Sequence, residues 1–154
     1  PKVDVMKARI FEINPKATVE AYHTYYNEET KSDILDRKID FICDCIDTIT
    51  WKIDLIKEAN LRGIKIISSM GMGNKLHPEL IEISELKKTS YDPIARVIRT
   101  KFKREHFNAK VKVVFSKEQP YKEDKTSTFP ASNSFVPATA GIIAASYIIN
   151  TIIE

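Results

Sequence analysis

FICDCIDT at residues 41–48, followed one amphipathic segment later by IKIISSMGMGNK at residues 64–75, decides the fold. An apolar run that stops on an acidic residue, then a helix-length stretch, then a second apolar run opening into a glycine-containing loop is the grammar of a parallel α/β sheet. In such sheets ligands gather at the carboxyl ends of the strands. Asp47 stands where the apolar run gives way to turn residues, so its carboxylate is expected to project into the crevice above the sheet, a usual place to hold a metal bound to phosphates. Asp44 lies inside the run. Gly71 and Gly73 in the second loop suit a backbone that passes close to another group.

Working outward, Val3, Met6, Ile10 and Ile13 recur at helical spacing, and Asn14-Pro15 stops that helix. The alternation in TVEAY, residues 18–22, predicts a strand. Residues 27–37 are polar with room for a short helix, and KIDFICDCI supplies the next strand. A helix over 51–61 places Ile53, Ile56 and Ala59 on one side, with Gly63 as its stop. LIEIS at 80–84 and VKVVFS at 111–116 read as short strands. Between them Asp92-Pro93 forms an N-cap and first-turn pair, opening a helix whose buried stripe is expected to be Ile94, Val97, Ile98 and Phe102. Residues 117–134 have the composition of an exposed, disordered loop. Residues 135–153 carry no charge. Pro137, Thr139, Gly141, Ser146 and Asn150 favour a buried or interface helix over a membrane span, with Ala140, Ala144 and Ala145 small enough for close packing against another helix.

A chain of 154 residues has room for one domain with a real core. Its 43% hydrophobic and 29% charged content is that of an ordinary globular protein, which excludes wholesale disorder. Twenty-four basic against 21 acidic residues leave a formal charge of +3, too little to argue for nucleic acid without a local cluster. That cluster is Arg96, Arg99, Lys101, Lys103 and Arg104, with no acid until Glu105. Such a run is ordinarily a solvated face. Arg96, Arg99 and Lys103, three and four apart, share one side of the helix, and the alternative is a surface for tRNA phosphates. Cys43 and Cys45 point to the same strand face and are expected to be buried free thiols in a reducing, cytoplasmic compartment. Two cysteines without a second pair do not make a structural zinc site. His23, His77 and His106 lack ligand spacing.

PKVDVMKARIFEINP, the CIDTIT turn, SSMGMGNKLHPELIEISELKKTSYDPIARVIR and FVPATAGIIAASYIIN together resemble the HesA/MoeB/ThiF superfamily of carboxylate-adenylating enzymes, and within it the tRNA threonylcarbamoyladenosine dehydratases. The resemblance implies a Rossmann-like α/β domain with a mainly parallel sheet and a smaller antiparallel extension. Residues 1–154 would be its C-terminal portion, lacking the N-terminal nucleotide-binding unit with its glycine-rich turn, and so inactive alone. It implies ATP and magnesium as cofactors, tRNA as substrate and a homodimer. By the same resemblance Lys2 reaches the phosphates, Asp47 holds magnesium and the phosphates, Thr48 stands where many relatives have Asn, and Ser69, Met70, Gly71, Asn74 and Lys75 border adenylate and substrate. Two other classes remain open: a ThiF/MoeB-type activator of a ubiquitin-like sulfur-carrier protein, with that sulfur-transfer protein as partner, and a non-catalytic interaction domain.

Overall fold

The computed structural model describes residues 1–121 and 130–154. The chain divides into two compact units, residues 1–39 and 40–154.

The first unit holds helix α1 (Lys2–Ile13) and the short helix α2 (Lys31–Leu35). No residue of α1 is buried; Val5, Met6 and Ile13 are exposed. The segment 18–22, expected to be a strand, is not one. Its alternation is present, yet it pairs with no other strand among the described residues, and alternation without a ladder partner leaves only extended chain. What orders it is polar. Arg37 hydrogen-bonds the Glu20 carboxylate and the Tyr22 hydroxyl, lies 5.1 Å from the Tyr22 ring centre, and donates to the Asp33 carbonyl at 2.9 Å.

The second unit is a four-stranded sheet covered on both faces. Strands β1 (Phe41–Asp44), β2 (Lys65–Ser69) and β4 (Lys112–Ser116) are parallel, and β3 (Ile81–Glu85) runs antiparallel on the outer side of β4, giving the order β1-β2-β4-β3. This is the expected mainly parallel sheet with an antiparallel extension. Ile42 pairs with Ile66 and Asp44 with Ser68, so the carboxyl ends of β1 and β2 are level. Helices α3 (Ile49–Leu61) and α4 (Pro93–Arg104) cover one face, where Ile53, Ile56, Ile98 and Phe102 meet Val113 and Phe115. Helix α5 (Val136–Ile153) covers the other, where Val136, Ala140 and Ala144 meet Ile67, Val114 and Ile81.

Local sequence explains where these helices start and stop. Gly63, at φ 67°, ends α3: its N–H donates to the Asn60 carbonyl at 3.2 Å and that of Ile64 to Ala59 at 2.8 Å, a closure that needs a left-handed residue at this position. At α4, Asp92 Oδ1 accepts from the Ala95 N–H at 2.8 Å and Pro93 fills the first turn, as the Asp-Pro pair predicts.

Two further expectations need correction. Val97 is exposed and Ala95 takes its place in the buried stripe beside Ile98 and Phe102, because the 95, 98, 102 row faces the sheet. Cys43 and Cys45 are exposed rather than buried: β1 is an edge strand of the described sheet, and Cys45 lies past its end. Helix α5 is part-buried, packing on the sheet through Val136, Ala140 and Ala144. By length and composition alone it is long and apolar enough to cross a membrane. Its small residues Ala140 and Ala144 instead let it lie close on the sheet, while Ile142, Ile149, Ile152 and Ile153 stay exposed on the opposite side. The centre of the expected loop 117–134 lies outside the described residues.

The α4 stripe makes a direct test. Ile98→Ala empties a fully buried site and is expected to cost about 2–5 kcal/mol in urea unfolding, whereas Val97→Ala is expected to change stability by less than about 0.5 kcal/mol. Equal costs would place the wrong face against the sheet.

Candidate functional site

The carboxyl ends of β1 and β2 carry the polar side chains that the core would otherwise exclude. Asp44, the last residue of β1, is buried, as are Ser68 on β2 and Lys52 in the first turns of α3. The Lys52 ammonium donates to Asp44 Oδ2 at 2.7 Å, to the Ser69 carbonyl at 2.9 Å and to Ser68 Oγ at 3.3 Å. The Ser68 hydroxyl also donates to Asp44 Oδ2, and Asp44 Oδ1 accepts the Ile46 N–H at 2.9 Å. All three ammonium hydrogens thus have acceptors, and both carboxylate oxygens have donors. A buried ion pair needs this completeness to offset its desolvation.

Satisfied in this way, Asp44 is closed to any ligand. Asp47, three residues on, is exposed. It accepts from the Thr48 hydroxyl at 3.4 Å and does not cap α3, whose N-cap is Thr48 without a side-chain cap bond. The strand-end helix-cap role that an isolated aspartate would ordinarily have is therefore absent. The two aspartates divide the labour: one fixes the strand ends and the other faces outward from them. Among the described residues no group of three or more His, Cys, Asp or Glu side chains could hold a metal by itself. A single outward carboxylate still suits magnesium that arrives on phosphates, since that ion takes one or two protein carboxylates and completes its shell with phosphate and water.

Beside Asp44 the two thiols are 3.9 Å apart. Hydrogen bonding from Cys43 lowers the Cys45 thiol to about 7, and the same contact, with burial, pushes Cys43 up.

The glycine loop after β2 is held rigidly, and its residues do not all face outward. Met70 is buried in the core, its N–H donating to the Val114 carbonyl at 2.9 Å. A side chain at Gly73 would meet Pro130 Cβ at 2.6 Å, so only glycine allows that approach, whereas a Cβ at Gly71 would stand 3.4 Å from Asp92 and Ile94, an ordinary contact. Asn74 adopts φ 58°; its N–H donates to the Ala131 carbonyl at 2.7 Å, its carbonyl accepts from the Tyr121 N–H at 2.7 Å, and its Oδ1 accepts from the Ala131 N–H at 2.8 Å. Lys75 is buried, its ammonium 3.5 Å from Asp92 Oδ2 and 3.3 Å from the Ser116 carbonyl. Burial holds that amine below the usual lysine range, with Asp92 opposing the shift. Asn74 and Lys75 thus serve the loop's own shape, tying it to the end of β4 and to the cap of α4.

Among the residues singled out from sequence, Asp47 and Thr48 follow the end of β1, Ser69 ends the neighbouring β2, Gly71 lies half-buried in the loop, and Met70, Asn74 and Lys75 support from behind. Lys2 is exposed in the first turn of α1, in the other unit. The basic stripe splits around Arg99. Arg96 and Arg99 border a depression with Tyr91, Gln119 and Pro120, while Arg99 and Lys103 border a separate groove with Leu86 and Phe107. Lys52 and Asp44 carry no expectation from sequence, although a signal exists. Lys52 shares the 52, 56, 59 row with two buried apolar residues, and Asp44 interrupts a strand; opposite charges at two buried positions imply each other.

Removing one partner shows what the network contributes. Lys52→Met leaves a buried carboxylate unpaired and is expected to cost about 3–5 kcal/mol in urea unfolding, while Lys52→Met with Asp44→Leu recovers most of the loss. A single variant as stable as wild type would mean that the pair is not buried in solution.

Comparison with known proteins agrees with this architecture. The ThiF family model matches residues 1–154. The chain is 41% identical to a Bacillus subtilis tRNA threonylcarbamoyladenosine dehydratase, covering 100% of this chain and 66% of that protein. It is 36% identical to Saccharomyces cerevisiae tRNA threonylcarbamoyladenosine dehydratase 2 over 78% of this chain and 27% of that one. The solved structure of the E. coli tRNA N6-threonylcarbamoyladenosine dehydratase in complex with AMP superposes with a TM-score of 0.88 at 26% identity, covering 99% of this chain and 64% of that one. The same enzyme in complex with ATP gives 0.87 at 26% identity. The chain thus spans slightly less than two thirds of the B. subtilis and E. coli proteins, and with its sheet, strand-end aspartate and glycine loop it belongs to the ThiF family.

Proposed function

We propose that the complete protein containing these residues is an ATP-dependent tRNA threonylcarbamoyladenosine dehydratase. The observation that carries the reading is Asp47: an exposed carboxylate, excused from helix capping, at the carboxyl end of a parallel strand in a chain 41% identical to a protein of that name. In the proposed reaction the threonyl carboxylate of the modified adenosine attacks the α-phosphorus of ATP, pyrophosphate leaves, and the resulting acyl adenylate loses AMP as a group within the substrate closes a ring on the activated carbonyl. The net change in the nucleoside is loss of water. No enzyme nucleophile is required, which fits a glycine loop without an exposed serine or cysteine poised for attack.

Each residue then has a task that its surroundings support. Asp47, with Thr48 beside it, holds phosphate-bound magnesium, which supplies charge neutralisation at the phosphates when bound. Lys2 offers a cation to the phosphates from the start of α1. The backbone of the 69–73 loop borders adenylate and substrate, kept in shape by Asn74 and Lys75. The exposed isoleucines of α5 suit an interface between two copies, so the working unit is a homodimer. A tRNA-modifying enzyme of this kind works in the cytoplasm.

AMP release is the decisive measurement. In the complete protein, supplied with ATP and threonylcarbamoylated tRNA, Asp47→Asn is expected to lower kcat by about 100-fold or more while leaving the unfolding midpoint unchanged, because the side chain is exposed and supports no core contact. Near-normal turnover would end the assignment of Asp47, and absence of AMP from the wild type would end the dehydratase reading.

A further inference from the structure

The carboxyl-terminal half of α4 and the turn that follows it build a feature that the strand-end site does not use. Helix α4 stops with His106 in a left-handed conformation, φ 55°, so that the His106 N–H reaches the Lys103 carbonyl at 3.3 Å and the Phe107 N–H reaches Phe102 at 2.9 Å. This closure folds Phe107 back on Phe102, with ring centres 4.5 Å apart. The two rings, Leu86 and Ala109 form the apolar part of a groove of about 410 Å³. Around it stand Lys87, Arg99, Lys103 and His106, and among the described residues no carboxylate lines it. The nearest acid on the helix, Glu105, is occupied by Lys57 at 2.5 Å and Lys101 at 3.0 Å. Arg99 is preset: it donates to Thr89 Oγ1, whose own hydroxyl donates to the Leu86 carbonyl at 2.9 Å.

We propose that this groove binds single-stranded RNA, with an unstacked base against Phe107 and the flanking phosphates on Lys87, Arg99 and Lys103. An aromatic platform inside a rim of three permanent cations without a carboxylate is the chemistry that a splayed nucleotide matches, since stacking and phosphate contact act together there. The volume suits one base rather than a helix. Arg96, on the far side of Arg99 in a different depression, is outside it. The identity of the RNA as a tRNA loop rests on the dehydratase reading; the groove's chemistry does not.

The test uses this chain, a fluorescein-labelled RNA stem-loop, a blunt RNA duplex and inorganic polyphosphate, with anisotropy read across sodium chloride concentrations. The stem-loop is expected to bind more tightly than the duplex. Lys87→Ala with Lys103→Ala should weaken stem-loop binding about tenfold and reduce the slope of log affinity against log salt by about 1.4, two single-strand phosphate contacts. Phe107→Leu, which keeps the position apolar, should weaken the stem-loop about tenfold through lost stacking and leave polyphosphate binding unchanged. Lys65→Ala with Lys112→Ala, two exposed lysines away from the groove, should change neither. Equal loss from the control pair, unchanged slopes in the groove variant, or equal affinity for stem-loop and duplex would each overturn the proposal. In the complete protein, AMP release from tRNA that survives the groove variant unchanged would sink the groove and keep the dehydratase reading; groove-dependent RNA binding without AMP release by that protein would do the reverse.

Discussion

The ion pair of Lys52 with Asp44 is the constraint from which the upper end of the sheet takes its form. It joins β1, α3 and β2 at one point: the ammonium reaches the last side chain of β1 and the last carbonyl of β2 from the opening turns of the helix between them. Because a charge buried in low dielectric tolerates little displacement from its partner, the two strand ends and the helix start are fixed relative to one another. Asp47 and Thr48, on the four-residue bridge between Asp44 and α3, inherit that position without contributing to it. The structural work at this strand end falls to Asp44, which leaves the Asp47 carboxylate exposed.

The glycine loop obeys a similar separation. Its outward surface is backbone and glycine, and its side chains reach backward into the protein. Met70 fills the core, Lys75 spans from the end of β4 to Asp92, and Asn74 bonds to both Tyr121 and Ala131. A loop tied at three points has already lost its conformational entropy during folding.

Much of this was legible in the amino-acid sequence, and the exceptions share a cause. Strand and helix order, the Asp92-Pro93 cap and the Gly63 stop are written in local patterns, because each depends on neighbours a few residues away, whereas the antiparallel extension came from the family resemblance. Asp44 with Lys52 was missed since a buried ion pair is a relation between two elements, invisible to a reading that scores each one alone. TVEAY misled in the opposite sense: alternation reports a half-buried extended chain, but a ladder partner is not encoded within the five residues. Val97 was placed in the core by a row one position off, and the cysteines by a rule about residue type that strand position overrode. At the site, the resemblance to a family pointed to Asp47 and the loop, and the structure separated residues that face outward from those that brace them.

The bonds of Asn74 have a consequence for how the chain can vary. Tyr121 and Ala131 both anchor on this one residue, so the stretch leaving β4 and the stretch entering α5 are brought side by side. Asn74→Ala would therefore remove the side-chain bond to Ala131 and, at φ 58°, strain the very backbone whose N–H and carbonyl hold both stretches.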